Sequence, residues 1–229
     1  MEGNMYSEWR KGLKAAVPVI VGYVPIGLAF GILASQQGLT VGTVFLMSLI
    51  VYAGSSQFIA AAMMATGADA VSVISTTFLV NLRHLLMSAS LSQHMKKFST
   101  KLQSIISFGI TDETFAVSGS YVQNNIATEG YFLGLHLASH GSWILSTVLG
   151  GIFVSRLTDT TKWGIDFALS AMFIGLLIMQ LKDKKGLLVS LCAGVLSLIL
   201  RINLNDNYNV IIAAVVAATI GVVTERWSK

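Results

Sequence analysis

Between Ala15 and Ala68 the chain carries no Asp, Glu, Lys or Arg, a run of 54 residues. A bilayer-spanning helix needs about 20 apolar residues, so this run holds more than one span's worth of lipid-compatible sequence. A soluble surface could not be kept wet by it. Charged residues make up 11% of the whole chain, against about 25% in soluble domains, so the rest of the sequence follows the same rule. Disorder is excluded as well, because it needs low hydrophobicity and high net charge. The chain reads as an all-α, polytopic integral membrane protein. In lipid every backbone polar group must be satisfied internally, and strand-like alternation is absent.

Eight apolar segments can be drawn, at 13–35, 41–66, 70–92, 103–123, 130–155, 164–181, 186–200 and 208–224. They are joined by short connections and read as one transmembrane domain over residues 1–229. The charged start Glu8-Trp9-Arg10-Lys11 leads into an apolar run longer than a signal-peptide core, which predicts a retained first span. Segment 13–35 holds both prolines, Pro18 and Pro25, with Gly27 close by, and predicts a hinge at Pro25 and Gly27. Segments 41–66 and 103–123 each read as apolar half-helix, polar break, apolar half-helix. The breaks fall near 52–58 and 109–115. Trp9, Trp163 and Trp227 stand near segment ends as interface anchors.

Cation placement discriminates between topologies. If all eight segments cross and the N-terminus is cytoplasmic, the inside loops hold Arg10, Lys11, Lys14, Lys182, Lys184, Lys185, Arg226 and Lys229. The outside loops hold Lys96, Lys97, Lys101, Arg156, Lys162 and Arg201, a ratio of 8 to 6. If segments 2 and 4 enter and leave on one side, Lys96, Lys97 and Lys101 move inside and the ratio becomes 11 to 3. Arg83 lies within a span and is left out of both counts. Six full spans, two re-entrant segments and both termini inside are therefore expected. A weak echo relates 13–56 to 161–204 at an offset of 148: Ile26-Gly27-Leu28 and Gly38-Leu39 recur as Ile174-Gly175-Leu176 and Gly186-Leu187. Inverted repeats of this kind are common in transporters.

Charges within spans cost at least about 2.5–3.5 kcal/mol each at mid-depth and mark function by default. They cluster twice. Asn81-Leu82-Arg83-His84 sits at the centre of segment 70–92, where Arg83 cannot reach either surface; Asn81 and His84 share a face. Arg83 fits an anion clamp, a counter-ion in a water-filled path, or a tie between two helices. Thr111-Asp112-Glu113 places two acids at mid-membrane. They fit a proton-titrating pair, with His84 as a further proton carrier, and also fit a helix start with Thr111 as N-cap and the acids in its positive first turn. The third motif is uncharged, Tyr52-Ala53-Gly54-Ser55-Ser56-Gln57-Phe58. Gly54 would permit a break, a serine would cap the next half-helix, and freed N–H groups would face a substrate carboxylate. The alternative is small-residue helix packing with Ser and Gln bonding across helices.

His136 and His140, four apart, fit polar packing or a proton relay better than a metal site, since no acid is in register. No nucleotide loop, nucleophile elbow or dinucleotide fingerprint occurs. The single Cys192 excludes an intrachain disulfide. No metal, cofactor or enzymatic activity is expected, and the net charge of +4 belongs to topology rather than to nucleic acid.

The order and spacing of these motifs resemble the branched-chain amino acid exporters, the AzlC-like permeases, over essentially the whole chain. The residues that carry the likeness are Pro25-Ile26-Gly27-Leu28-Ala29-Phe30-Gly31, Tyr52 to Phe58, Asn81 to His84 and Thr111-Asp112-Glu113-Thr114-Phe115. The resemblance implies a multi-pass protein of the cytoplasmic membrane, with about seven spans rather than eight. It also implies export of leucine, isoleucine and valine, sometimes of methionine or azaleucine, driven by the proton motive force with a small AzlD-like membrane partner. The expected binding residues are Tyr52, Gly54, Ser55, Ser56, Gln57, Phe58, Asn81, Arg83 and Phe115, with Asp112, Glu113 and His84 coupling protons. A channel or scaffold subunit, or a membrane-embedded metalloenzyme, are the alternative functions.

Overall fold

The computed structural model describes residues 5–154 without interruption, then 167, 170–171, 174, 177–178, 181, 184–203, 212–213, 215–217 and 219–221. The chain divides into two compact units, Met1–Leu169 and Ser170–Lys229. No strand occurs among the described residues. The expected segments 164–181 and 208–224 lie mostly outside the described residues, as does part of the copy at 161–204.

The first unit is built on two parallel helices, α1 (Met5–Gln36) and α7 (Glu129–Phe153). At 1.5 Å per residue they are about 48 and 38 Å long, enough to cross a bilayer. The buried positions of α1 include Glu8, Gly12, Ala16, Val19, Tyr23, Gly27, Phe30 and Ala34, spaced three or four apart along one stripe, with Gly31 and Ile32 widening it near its end. That stripe is rich in small residues because α7 lies directly on it. A Cβ on Gly12 would sit 2.1 Å from the Tyr131 carbonyl oxygen, and one on Gly31 2.0 Å from that of Thr147. From the other side, Gly134 faces the Trp9 carbonyl and Gly150 that of Leu28. Lipid tails are as apolar as leucine, so such backbone-to-backbone van der Waals packing is what joins helices in a membrane.

The hinge expected at Pro25 and Gly27 falls inside a single continuous helix. α1 runs unbroken through Pro18 and Pro25, and Gly27 is spent on close approach to Ser146. The helix also starts eight residues before the apolar run. Glu8 is buried and accepts from Lys11 Nζ, Tyr121 Oη at 3.1 Å and Thr128 Oγ1 at 3.2 Å, which fastens the charged start to the fold.

Segment 41–66 folds as α2 (Val41–Leu46), a π-helical turn (Met47–Val51) and α3 (Gly54–Ala65). Its contacts show a hairpin. Val41 lies near Gly151 at the distal end of α7. Ser48 is level with Thr147 and His140, and Tyr52 with Tyr23 and His140. Phe58 then returns to the level of Phe30. Segment 103–123 is the counterpart, α5 (Thr100–Phe108) and α6 (Asp112–Asn124). Phe98 packs on Phe132 at the proximal end, Gly109 meets His136 at mid-depth, and Tyr121 returns to Glu8. The two re-entrant hairpins enter from opposite ends and their tips meet at mid-depth, where the Tyr52 and Phe108 rings lie 6.4 Å apart.

Between the hairpins, α4 (Ala70–Ser92) crosses with the bounds that its apolar pattern predicts. Its N-cap Asp69 accepts from the hydroxyl and backbone N–H of Ser72, which hold this carboxyl below its usual range. Val71, Ile74, Phe78, Leu82 and Leu85 form an exposed stripe suited to lipid. Helices α1, α4 and α8 (Lys184–Asn203, in the second unit) are long and apolar enough to cross a membrane. α7 is as long as α4 but carries His136, Ser139, His140, Ser146 and Thr147 on the side turned to its neighbours.

The glycine seam predicts a contrast within one helix. Gly31→Ala should lower the thermal stability of the purified protein by several degrees, because backbone blocks the new methyl and overpacking costs about 1–3 kcal/mol. Gly22→Ala, with nothing within 4 Å, should leave it unchanged or raise it. Melting curves followed by size-exclusion chromatography would read the difference.

Candidate functional site

The two breaks come together on one side chain. Arg83, near the centre of α4, places Nη2 2.6 Å from Ser55 Oγ in the first turn of α3 and Nη1 2.8 Å from Asp112 Oδ2 at the start of α6. Three sequence motifs, distant along the chain, thus meet at mid-depth. The pair is not sealed. Arg83 keeps 30% of its side-chain surface exposed and Asp112 27%. Around it are polar atoms that are buried and make no hydrogen bond within the described protein: Arg83 Nε, Asn81 Oδ1, His84 Nε2 and Tyr52 Oη. Leaving such groups unmatched is costly, and three of the seven such atoms among the described residues belong to the Asn81, Arg83 and His84 turn of α4.

Two half-helix N-termini also open here. The first-turn N–H groups of α3 and α6 have no partner four residues back, and their dipoles add positive charge to that of Arg83. Asp112 balances part of it. Glu113, the next residue, takes a different partner, since successive helical residues point about 100° apart. Its Oε2 accepts from Tyr23 Oη at 3.0 Å, and the same hydroxyl lies 2.5 Å from Thr111 Oγ1.

The break before α6 has the local chemistry expected of it. Thr111 is the N-cap, accepting from Thr114 N, while Thr114 Oγ1 accepts from Thr111 N and donates to the Gly109 carbonyl. The break before α3 departs from expectation. Gly54 does not supply the unusual backbone. Tyr52 does, at φ 44°, ψ 49°, a left-handed conformation that a non-glycine residue holds only when its surroundings fix it. The rings of Tyr23, His140 and Phe108 do so. Gly54 instead leaves room for Trp143, whose ring would lie 3.1 Å from a Cβ.

Neither serine caps α3. Ser55 binds Arg83, and Ser56 Oγ donates to the Ala53 carbonyl. Gln57 takes the capping role. Its Oε1 accepts from Ala53 N at 3.2 Å and from Trp143 Nε1 at 3.0 Å, and its Nε2 donates to Ser48 Oγ at 3.1 Å. Two N–H donors on one oxygen fix the orientation of this amide. Ser56 and Gln57 are fully buried and hold the hairpin tip. Phe58 is buried against Phe30, and Phe115 packs on the apolar cluster at the proximal end of the unit. Of the expected binding set, Ser55, Asn81, Arg83 and Tyr52 thus line the mid-depth site together with Asp112, Glu113 and His84. Gly54, Ser56, Gln57, Phe58 and Phe115 support it.

Sequence reasoning missed two contributors, Tyr23 and Trp143. Both donate into the breaks, Tyr23 to Glu113 and Trp143 to Gln57. His136 and His140 each meet a backbone carbonyl that a broken helix leaves free. His136 Nδ1 lies 2.6 Å from Gly109 O, and His140 Nε2 3.0 Å from Ser48 O. Since a carbonyl only accepts, each of those nitrogens carries the proton. No group of three or more metal-ligating side chains gathers among the described residues.

A double-mutant cycle tests the central contact. Arg83→Ala leaves the half-buried Asp112 without a counter-charge, and Asp112→Ala does the reverse. Each single variant should melt at a lower temperature than the double variant, because an uncompensated charge costs more than the pair contributes. Equal additive losses would show that the two side chains do not act as a unit.

Residues 18–157, which contain every element of this site, match the AzlC protein family. An uncharacterized membrane protein of Archaeoglobus fulgidus is 35% identical over 178 residues, 77% of each chain. Inner membrane protein YgaZ of Escherichia coli is 30% identical over 188 residues, 80% of this chain and 77% of its own. The branched-chain amino acid transport protein AzlC of Bacillus subtilis is 29% identical over 201 residues, 86% and 78% of the two chains. No solved structure matches. With its apolar crossing helices and these relatives, the chain is a multi-pass membrane protein and belongs to the AzlC family.

Proposed function

We propose that this protein exports leucine, isoleucine and valine across the cytoplasmic membrane, with methionine and analogues such as azaleucine as further substrates. The observation that carries the reading is the Arg83 bridge between Ser55 and Asp112, a half-open ion pair at mid-depth between two helix N-termini. The likeness to a branched-chain amino acid transport protein supplies the substrate class. Both units, 1–229, are read as parts of one transporter, working with a small AzlD-like membrane partner.

A zwitterion suits this pair. Its carboxylate replaces Asp112 on Arg83 and gains the α3 N-terminus, while its ammonium goes to the released Asp112. No net charge enters the low-dielectric interior, which avoids the cost of burying an isolated ion. Glu113, held apart by Tyr23, is then the group that carries the coupling proton: loaded on the outside and unloaded inside, it drives substrate outward. Cytoplasmic termini follow from the cation count and set the proximal end of α1 as the inner end.

Cells loaded with leucine-containing dipeptide, expressing this chain with a small partner, should release leucine faster than control cells, and an uncoupler should abolish the difference. Asp112→Asn should raise the substrate concentration needed for half-maximal efflux. Glu113→Gln should remove the uncoupler-sensitive component. If both variants export at the parental rate, the assigned roles are wrong. Sidedness has its own test. The lone Cys192 allows a Cys192→Ser background, in which Lys97→Cys, exposed in the α4–α5 connection, should react with an impermeant thiol reagent only from the cytoplasmic side.

A further inference from the structure

The two hairpins and the helices that follow them repeat one pattern. α2 starts at Val41 and α3 ends at Ala65, and α4 starts at Ala70. α5 starts at Thr100 and α6 ends at Asn124, and α7 starts at Glu129. Each boundary in the second set falls 59 residues after its counterpart. The N-caps obey the same offset. Thr40 matches Ser99 and Asp69 matches Thr128, and all four side chains accept from the backbone N–H three residues on. The helix breaks fall at nearly the same offset, with the first half ending at Val51 and Phe108, 57 apart, and the second half starting at Gly54 and Asp112, 58 apart. The direction is opposite: one hairpin enters from the distal end and the other from the proximal end.

The crossing helices carry their polar groups at equivalent heights. Asn81, Arg83 and His84 lie 12 to 15 residues into α4, and His140 and Trp143 likewise into α7. From α4, Arg83 binds both hairpins. From α7, His136 holds the tip of the proximal hairpin, and His140 and Trp143 hold that of the distal one.

The copies are not seated alike. In the distal hairpin, α3 buries Ser55, Ser56, Gln57, Phe58, Ala60 and Ala61. In the proximal hairpin, α6 buries Thr114 and Ser118 alone. Its outer part is half-buried, with Phe115, Val117 and Val122 against the proximal cluster, the Tyr121 ring stacked on Tyr131 at 3.5 Å and the Tyr121 hydroxyl on Glu8. Two copies of one motif in two degrees of seating are what a bistable pair presents in one of its two states.

We infer that α2–α4 and α5–α7 form an inverted structural repeat, and that their hairpins alternate as the barrier between the Arg83 site and the two ends of the protein. The consequence for transport rests on the exporter reading, but the geometry and its test do not. In the state described here the distal hairpin is the seated barrier. The opposite state exchanges the two seatings, with the proximal hairpin drawn in and the distal one released, while Arg83 stays between them.

The test is a pair of distances measured by pulsed electron resonance on the full chain in lipid nanodiscs, in the Cys192→Ser background. One spin-label pair at Lys14 and Asn124 reads the proximal hairpin against α1, and another at Gln37 and Ala65 reads the distal hairpin. Tyr121→Phe, which removes only the hydroxyl bonded to Glu8, should shift the proximal distance towards longer values and the distal one towards shorter values. Thr147→Val, which removes the bond to Ser48 under the distal hairpin, should produce the opposite pair of shifts. Glu8→Ala is a stronger form of the first change, and Tyr121→Phe keeps the test valid if that variant fails to fold. A change confined to the mutated end, shifts of the same sign at both ends, or no shift with either variant would overturn the inference. No substrate is involved. Coupled distances without leucine efflux would therefore count against the exporter reading alone, and efflux with uncoupled distances against the repeat alone.

Discussion

The parallel contact of α1 and α7 is the constraint on which the rest of this unit depends. It is made of backbone rather than side chains. Gly12, Gly27 and Gly31 on one helix and Gly130, Gly134 and Gly150 on the other each leave the space that a neighbouring backbone or a short side chain fills. With no hydrophobic drive between helices in lipid, that shape match is the available source of adhesion. It also explains how α1 stays helical through two prolines that would each cost about 3 kcal/mol in an isolated helix. Both helices then present polar residues along their central part, Tyr23 from α1 and His136, His140, Trp143 and Thr147 over three turns of α7. Those residues hold the tips of the two hairpins. A broken helix in a membrane is tolerable only where something buried in protein re-satisfies its freed groups, and the pair supplies those groups to both hairpins at once.

Much of this was legible in the sequence. The charge-free run, the bounds of α4 and the two interrupted segments follow from composition, because lipid permits few alternatives. The cation count predicts two segments that return to their starting side, and the contacts show both returning. Thr111 was legible as a cap because capping is a matter of residues three apart. What was not legible depends on contacts across the fold. Gly27 reads as a hinge beside Pro25, and its second role, the close approach to Ser146, shows only in the fold. Gly54 reads as the source of the break until Tyr52 is found in the left-handed region, held there by rings that no local pattern reveals. Gly27-x3-Gly31 and Gly130-x3-Gly134 were the available signal for the seam, a small-residue spacing typical of close helix pairs. The offset of 59 was hidden for another reason. It survives in element bounds and caps while side chains diverge, and Ser55 and Asp112 reach the same arginine by different chemistry.

The position of Asp112 and Glu113 in one helical turn resolves a question that their adjacency raises. Two carboxylates side by side in a low-dielectric interior would repel, and one would be driven to protonate. The fold separates them instead. The turn of the helix sends Asp112 towards α4 and an arginine, and Glu113 towards α1 and a phenol. A guanidinium is a permanent charge, and in the transport proposed above a substrate carboxylate takes the place of Asp112 on it. A phenol hydroxyl can donate to a carboxylate or accept from a carboxylic acid, so its partner can gain or lose a proton without losing its hydrogen bond. The transport proposed above draws on that separation, with Asp112 for the charge of the solute and Glu113 for the proton. The difference lies in the helices that they face, not in the acids themselves.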